Sequence, residues 1–149
     1  MKLALELKDE KATESLGARL AELARPGDIF ALSGPLGAGK SHLARAFVRA
    51  LTTPEEEVPS PTFTLVQVYA SAKGPLYHFD LYRLEAADEA VELGIDDAFA
   101  DGISLVEWPD RLGRLLPRRA LQIELAAGPR SSERIASISG EDLWTRRWE

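Results

Sequence analysis

The chain has 149 residues, of which 45% are hydrophobic and 28% charged, with a formal net charge of −6. That length buries one core and leaves no room for a second catalytic domain, so a single domain over 1–149 is expected. The absence of cysteine excludes disulfides, thiolate catalysis and Cys-based zinc sites, two histidines argue against a His-rich metal site, and the acidic balance argues against gripping nucleic acid through the overall field.

The opening MKLALELKDE is charged throughout and the longest apolar runs are strand-length, so the expectation is a cytoplasmic protein with no signal peptide and no contact with the membrane. Leu3, Leu5 and Leu7 alternate with Lys2, Ala4 and Glu6, the pattern of a short edge strand with one buried face. Leu16, Leu20 and Leu23 then mark a helix over 13–24, stopped by Arg25-Pro26-Gly27. The apolar run 28–33 (DIFALS) suits a strand buried on both faces of a parallel sheet, and a glycine-rich loop follows it directly. Leu43, Phe47 and Leu51 predict a helix behind that loop, over 40–51. The proline-rich stretch 54–62 is a surface connection. Two aromatic and β-branched runs, 63–70 and 76–82, read as a hairpin with a five-residue turn. After it come a short acidic helix over 85–93 ended by Gly94, a buried strand at 103–108 (ISLVEW), a strand pair at 120–126 and 134–139, and a closing helix at 141–148. Early alternation of strand and helix followed by antiparallel pairing predicts an α/β fold of the P-loop nucleotide-binding kind, with a mixed central sheet and helices on both faces.

The chemistry starts at 34–41, GPLGAGKS, a Walker A pattern placed between a strand and a helix. Its glycines let backbone N–H groups wrap a phosphate, Lys40 adds a mobile positive charge toward the outer phosphates, and Ser41 offers a hydroxyl to Mg2+. ATP with Mg2+ is the expected ligand. Such a site also needs a carboxylate at the end of a neighbouring strand. Glu107 ends ISLVEW, at the carboxyl edge where ligands bind in open α/β sheets. Asp80 shares a strand face with His78 and Tyr82 in YHFDLYR, opposite Tyr77, Phe79 and Leu81. His78 itself reads as a hydrogen-bonded structural residue before a catalytic one. Thr62 lies in a loop after the Walker helix, where nucleotide switches sense the γ-phosphate. Arg83 offers an arginine-finger alternative to simple pairing with a carboxylate.

The chain contains no asparagine, so the Asn-Lys-x-Asp guanine reader of Ras-type GTPases is missing. Asp110-Arg111-Leu112-Gly113 matches a Asp-x-x-Gly switch only in letters, because no strand feeds it directly.

Taken in order, GPLGAGKS, VPSPTF, YHFDLYR, ELGIDD and LVEWPDRLG resemble the TsaE (YjeE) family of bacterial ATPases, from about Thr13 to Arg130. One departure is Ser41-His42, where many members carry two threonines; serine keeps the hydroxyl. The resemblance implies a part in making N6-threonylcarbamoyladenosine in tRNAs that read codons beginning with A. It implies ATP binding and hydrolysis while attached to TsaD and TsaB partners, with tRNA reached through them. By position it places Gly37, Ala38, Gly39, Lys40, Ser41 and His42 around the phosphates, Ser41 and Glu107 on the metal, Asp80 in hydrolysis near the metal and Thr62 in the switch loop. Thr13 and Arg130 correspond to family positions near the nucleotide, and Trp108 to a wall facing partner or nucleotide.

Two other functions fit a small P-loop chain. One is a small-molecule kinase with the arginines of 111–119 as a lid, although no glycine hinges flank that stretch. The other is an assembly factor in which nucleotide binding alone matters.

Overall fold

The computed structural model describes residues 1–35 and 37–148; Leu36 of the glycine-rich motif and Glu149 lie outside that description. Its first half follows the periodicity closely. β1 (Lys2–Leu7) leads to α1 (Glu10–Leu23), β2 (Ile29–Ser33) and α2 (Lys40–Leu51). α1 begins three residues before its apolar stripe predicts because Asp9 caps it, its carboxylate accepting from the Ala12 N–H at 2.8 Å.

The hairpin is tighter than expected. β3 (Val66–Ser71) and β4 (Gly74–Asp80) are joined by Ala72 and Lys73 alone, with pairing carried out to Ser71 and Gly74. Ser71 Oγ closes the turn by donating to the Gly74 carbonyl at 2.6 Å and accepting from the Lys73 N–H at 3.1 Å. Lys73 Nζ then donates to the carbonyls of Ala21, Glu22 and Ala24 at 2.8–2.9 Å, satisfying the open end of α1. The start of the first expected strand is a loop instead: Phe63 is 81% exposed and Leu65 takes φ 71°. Leu65 is held there by its N–H on the Pro61 carbonyl and by its own carbonyl accepting from the Asp80 N–H.

The acidic helix expected over 85–93 shrinks to α3 (Glu89–Glu92), and a further helix, α4 (Ile95–Asp101), follows Gly94. Ile95, Ala98 and Phe99 have helical spacing and are buried, but Asp96 and Asp97 between them break the apolar run. β5 (Ile103–Glu107), a 3-10 segment (Pro109–Leu115), β6 (Leu121–Ala127), β7 (Arg134–Ser139) and α5 (Asp142–Trp148) complete the chain.

Among the described residues seven strands form one mixed sheet in the order β1-β7-β6-β2-β5-β4-β3, with β1 at an edge as its sequence predicts. β2 runs parallel to β5 and β6, and β4 parallel to β5; the other pairs are antiparallel. One face packs Phe30, Leu32 and Leu105 against α1, α2 and Trp144 of α5. The other packs Ile29, Phe79 and Val106 against α3, α4 and Leu112. Helices thus cover both faces, and the carboxyl ends of the central parallel strands open beside α2. Among the described residues no helix is long and apolar enough to cross a membrane.

Candidate functional site

β2 is buried on both faces between β5 and β6 and ends directly in the glycine-rich loop. Gly34 turns there at φ +143°, where any Cβ would run into the Leu125 carbonyl of β6. Gly39 begins α2 at φ +95° and offers no side-chain cap, so the first-turn N–H groups of α2 stay available to an anion. From the far strand β7, Arg134 reaches across, its Nη2 donating to the Gly37 carbonyl at 3.0 Å. The next peptide N–H, of Ala38, donates to the Pro35 carbonyl at 3.2 Å. The Gly37–Ala38 peptide is therefore held at both ends.

The two candidate acids converge because β4 and β5 are parallel and in register, with Asp80 opposite Glu107 and Glu107 opposite Leu32 of β2. Strand alternation turns His78, Asp80 and Glu107 toward α2, the face split expected for 77–82. Gly37, Gly39, Lys40, Ser41, His42, Thr62, Asp80 and Glu107 line one cleft of about 390 Å3, completed by Arg45, Ser60 and Trp108. Its inner part is buried: Lys40, Asp80 and Glu107 are each under a tenth exposed.

Five of the polar side chains in the cleft have a defined partner: Thr62, Ser60, Asp80, Glu107 and Lys40. Thr62 Oγ1 donates to Asp80 Oδ2 at 3.2 Å and lies 2.7 Å from Ser60 Oγ. Asp80 Oδ1 accepts from the Tyr82 N–H at 3.0 Å. Glu107 Oε2 lies 2.7 Å from His78 Nε2. The Lys40 ammonium sits 4.3 Å from the centre of the Trp108 indole, which takes a left-handed φ of 57° directly after Glu107. His42, at the cleft mouth, faces Glu10 at 3.4 Å.

The remaining three expected residues are placed differently from one another. Ala38 lies within the loop with its side chain buried, whereas Thr13 is buried on α1. Arg130 projects from the β6–β7 turn with an 85% exposed side chain, 3.5 Å from Glu133. Neither Thr13 nor Arg130 lines this cleft. Arg83, weighed as an arginine finger, lies over the exposed Phe63 ring at 4.9 Å and is not part of the cleft wall either. An arginine that does line the wall, beside Lys40, is Arg45. Its signal was present in the sequence, one helical turn after Ser41 and so on the same side of α2. Arg134 carried no such signal, since its contact spans 97 residues.

The family model described as threonylcarbamoyl adenosine biosynthesis protein TsaE matches residues 7–135. The chain belongs to the TsaE family. Three relatives carry the name tRNA threonylcarbamoyladenosine biosynthesis protein TsaE. The Synechocystis protein is 45% identical over 115 residues, covering 73% of this chain and 71% of the relative. The Bacillus subtilis protein is 41% identical over 112 residues, 74% and 69% of the two chains. The Rickettsia prowazekii protein is 32% identical over 137 residues, 92% and 94%. The crystal structure of Bacillus subtilis YdiB is similar over 99% of this chain and 91% of its own, with a TM-score of 0.78 at 28% identity. The TsaE match takes in the glycine-rich loop, Thr62 and both carboxylates, and stops before α5.

The donors in this TsaE cleft suit magnesium. Among the described residues no three His, Asp or Glu side chains come together to enclose an ion. Magnesium keeps several waters and takes one or two carboxylates plus phosphate oxygens, so a serine hydroxyl and a carboxylate beside a phosphate cradle are the share a protein supplies. Ser41, Glu107 and Asp80 line the cleft together and meet that requirement.

Proposed function

We propose that this TsaE protein is a magnesium-dependent ATPase of tRNA threonylcarbamoyladenosine formation, driving turnover of TsaB–TsaD partners that themselves hold the tRNA. The observation that carries the reading is the convergence in one cleft of Lys40 and Ser41 from the start of α2 with Asp80 and Glu107 from adjacent strand ends. Loop N–H groups and Lys40 would bind the triphosphate, and Ser41 with Glu107 would hold magnesium, with Asp80 close by. Bound magnesium would neutralise charge on the phosphates and help orient them. Asp80, fixed by Tyr82 N–H and Thr62, is set to orient the attacking water, and Thr62 ties the 58–65 loop to that carboxylate. A net charge of −6 agrees with reaching tRNA through partners. The names of the relatives support the pathway.

The test is ATP hydrolysis by the purified protein, alone and with TsaB and TsaD, beside the modified-adenosine content of tRNA from cells lacking it. Lys40→Ala should weaken ATP binding about ten- to a hundred-fold, the loss of a charge-assisted hydrogen bond. Glu107→Gln should bind ATP and fail to cleave it. If Glu107→Gln restores full tRNA modification in cells, nucleotide binding alone suffices and the assembly-factor reading replaces this one. Phosphate passed to a small acceptor instead of water would favour a kinase.

A further inference from the structure

Two opposite charges share the inner cleft, and they are not joined. Lys40 and Glu107 line the same space, yet no ion pair links them among the described residues. Each is held by something else: Lys40 by the Trp108 ring, Glu107 by His78. A cavity of about 60 Å3 adjoins Glu107, Ser41 and His78, enough for one or two waters. Packing alone therefore does not fix how the Glu107 carboxylate is turned.

We infer that His78 is a positioning residue: its Nε2–H holds Glu107 Oε2 inside the protein, so that Oε1 faces the cleft and the carboxylate stays off Lys40. This rests on the metal and nucleotide reading of the cleft given above. His78 is only 2% exposed and sits one pleat deeper than Asp80 on β4, opposite Leu105, so its ring is fixed by the sheet. Its Nδ1 is buried without a protein partner. A proton on Nδ1 would find no protein acceptor and would set the Nε2 lone pair against a carboxylate oxygen. The hydrogen-bond network therefore assigns the proton to Nε2. Outer partners of this kind orient metal ligands, and their loss costs about ten- to a hundred-fold in metal affinity.

The experiment uses the full chain and three readouts: a long-range 1H–15N spectrum of the histidines, metal-free ADP binding by calorimetry, and Mn2+ binding to the ADP complex by electron paramagnetic resonance. Wild type should carry its His78 proton on Nε2. His78→Leu should lower Mn2+ affinity about ten- to a hundred-fold, whereas His78→Gln, whose amide N–H can replace Nε2–H, should stay within about three-fold of wild type. An Nδ1-protonated ring, unchanged Mn2+ affinity in His78→Leu, or no recovery in His78→Gln overturns the proposal. If His78→Leu does not fold, the wild-type spectrum and His78→Gln still decide. Failure of wild type to bind ADP at all would remove the nucleotide reading and this proposal together; ADP binding with Mn2+ affinity indifferent to His78 removes this proposal alone.

Discussion

The ammonium of Lys40 rests on the indole of Trp108, 4.3 Å from the ring centre, at the inner end of the cleft. Such a contact is worth about 0.5–2 kcal/mol, the upper part when desolvated, and Lys40 is only 7% exposed. A phosphate bound in the loop competes with the ring for the same cation. Adding ATP or ADP should therefore change tryptophan emission, and Trp108→Phe should abolish the nucleotide-dependent part while Trp144 and Trp148 still emit. A nucleotide-dependent change that survives in Trp108→Phe would place the response elsewhere.

Asp80 is anchored through both oxygens, by a backbone N–H and by the Thr62 hydroxyl. Thr62→Val removes one hydrogen bond to a carboxylate, at 3.2 Å worth about 1.5 kcal/mol, so kcat for ATP hydrolysis should fall about ten-fold with KM little changed. Asp80→Asn keeps the shape but not the charge and should cost about 100-fold or more in kcat. Steady-state assays at saturating magnesium separate the two.

Burial raises the Tyr69 phenol above its usual value near 10, and the negative charge of Glu56 adds to the effect. The fold therefore favours the protonated ring. That contribution is complete below pH 10 and is lost as pH rises through the folded-state value. Since the hydroxyl is buried without a partner, Tyr69→Phe should change neutral-pH stability by less than about 1 kcal/mol. Urea midpoints from pH 8 to 11 should fall less steeply in the variant than in wild type.

Arg147 of α5 grips Asp28 with two nitrogens, at 3.0 Å for Nη1 to Oδ1 and 2.5 Å for Nη2 to Oδ2, and also donates to the Leu23 carbonyl. Its guanidinium lies 4.3 Å from the centre of the Trp144 ring. Arg147→Ala leaves a mostly buried carboxylate unpaired and should cost about 3 kcal/mol in urea unfolding. Arg147→Lys should recover only part of this, because an ammonium cannot make the two-pronged contact. ATP affinity should be unchanged in the folded variants.

Local rules carried much of the architecture. Alternation at 2–7, the doubly apolar run at 29–33 and the stripe Leu43, Phe47, Leu51 each report burial on a regular element, so those elements were legible in residues alone. Asp80 and Glu107 were legible too, because a carboxylate closing an apolar strand implies a sheet edge. What escaped depended on distant partners. The hairpin turn is set by Lys73 reaching the end of α1, which no local turn preference encodes. α4 was hidden by two solvent-facing aspartates. The His78–Glu107 contact needs the parallel pairing of β4 and β5, and the Arg134–Gly37 contact needs β7 to lie two strands from β2.

That last contact has a practical side for anyone engineering the protein. The turn at 128–133 is exposed over most of its length and looks like a convenient place to graft an epitope or a dye. Yet Arg134, the first residue after it, also donates to the Ser131 and Glu133 carbonyls of the turn while holding Gly37. The turn and the glycine-rich loop are thus tied through one side chain, so an insertion there should slacken the loop, and a fluorophore at Ser132 should report on how the loop is held.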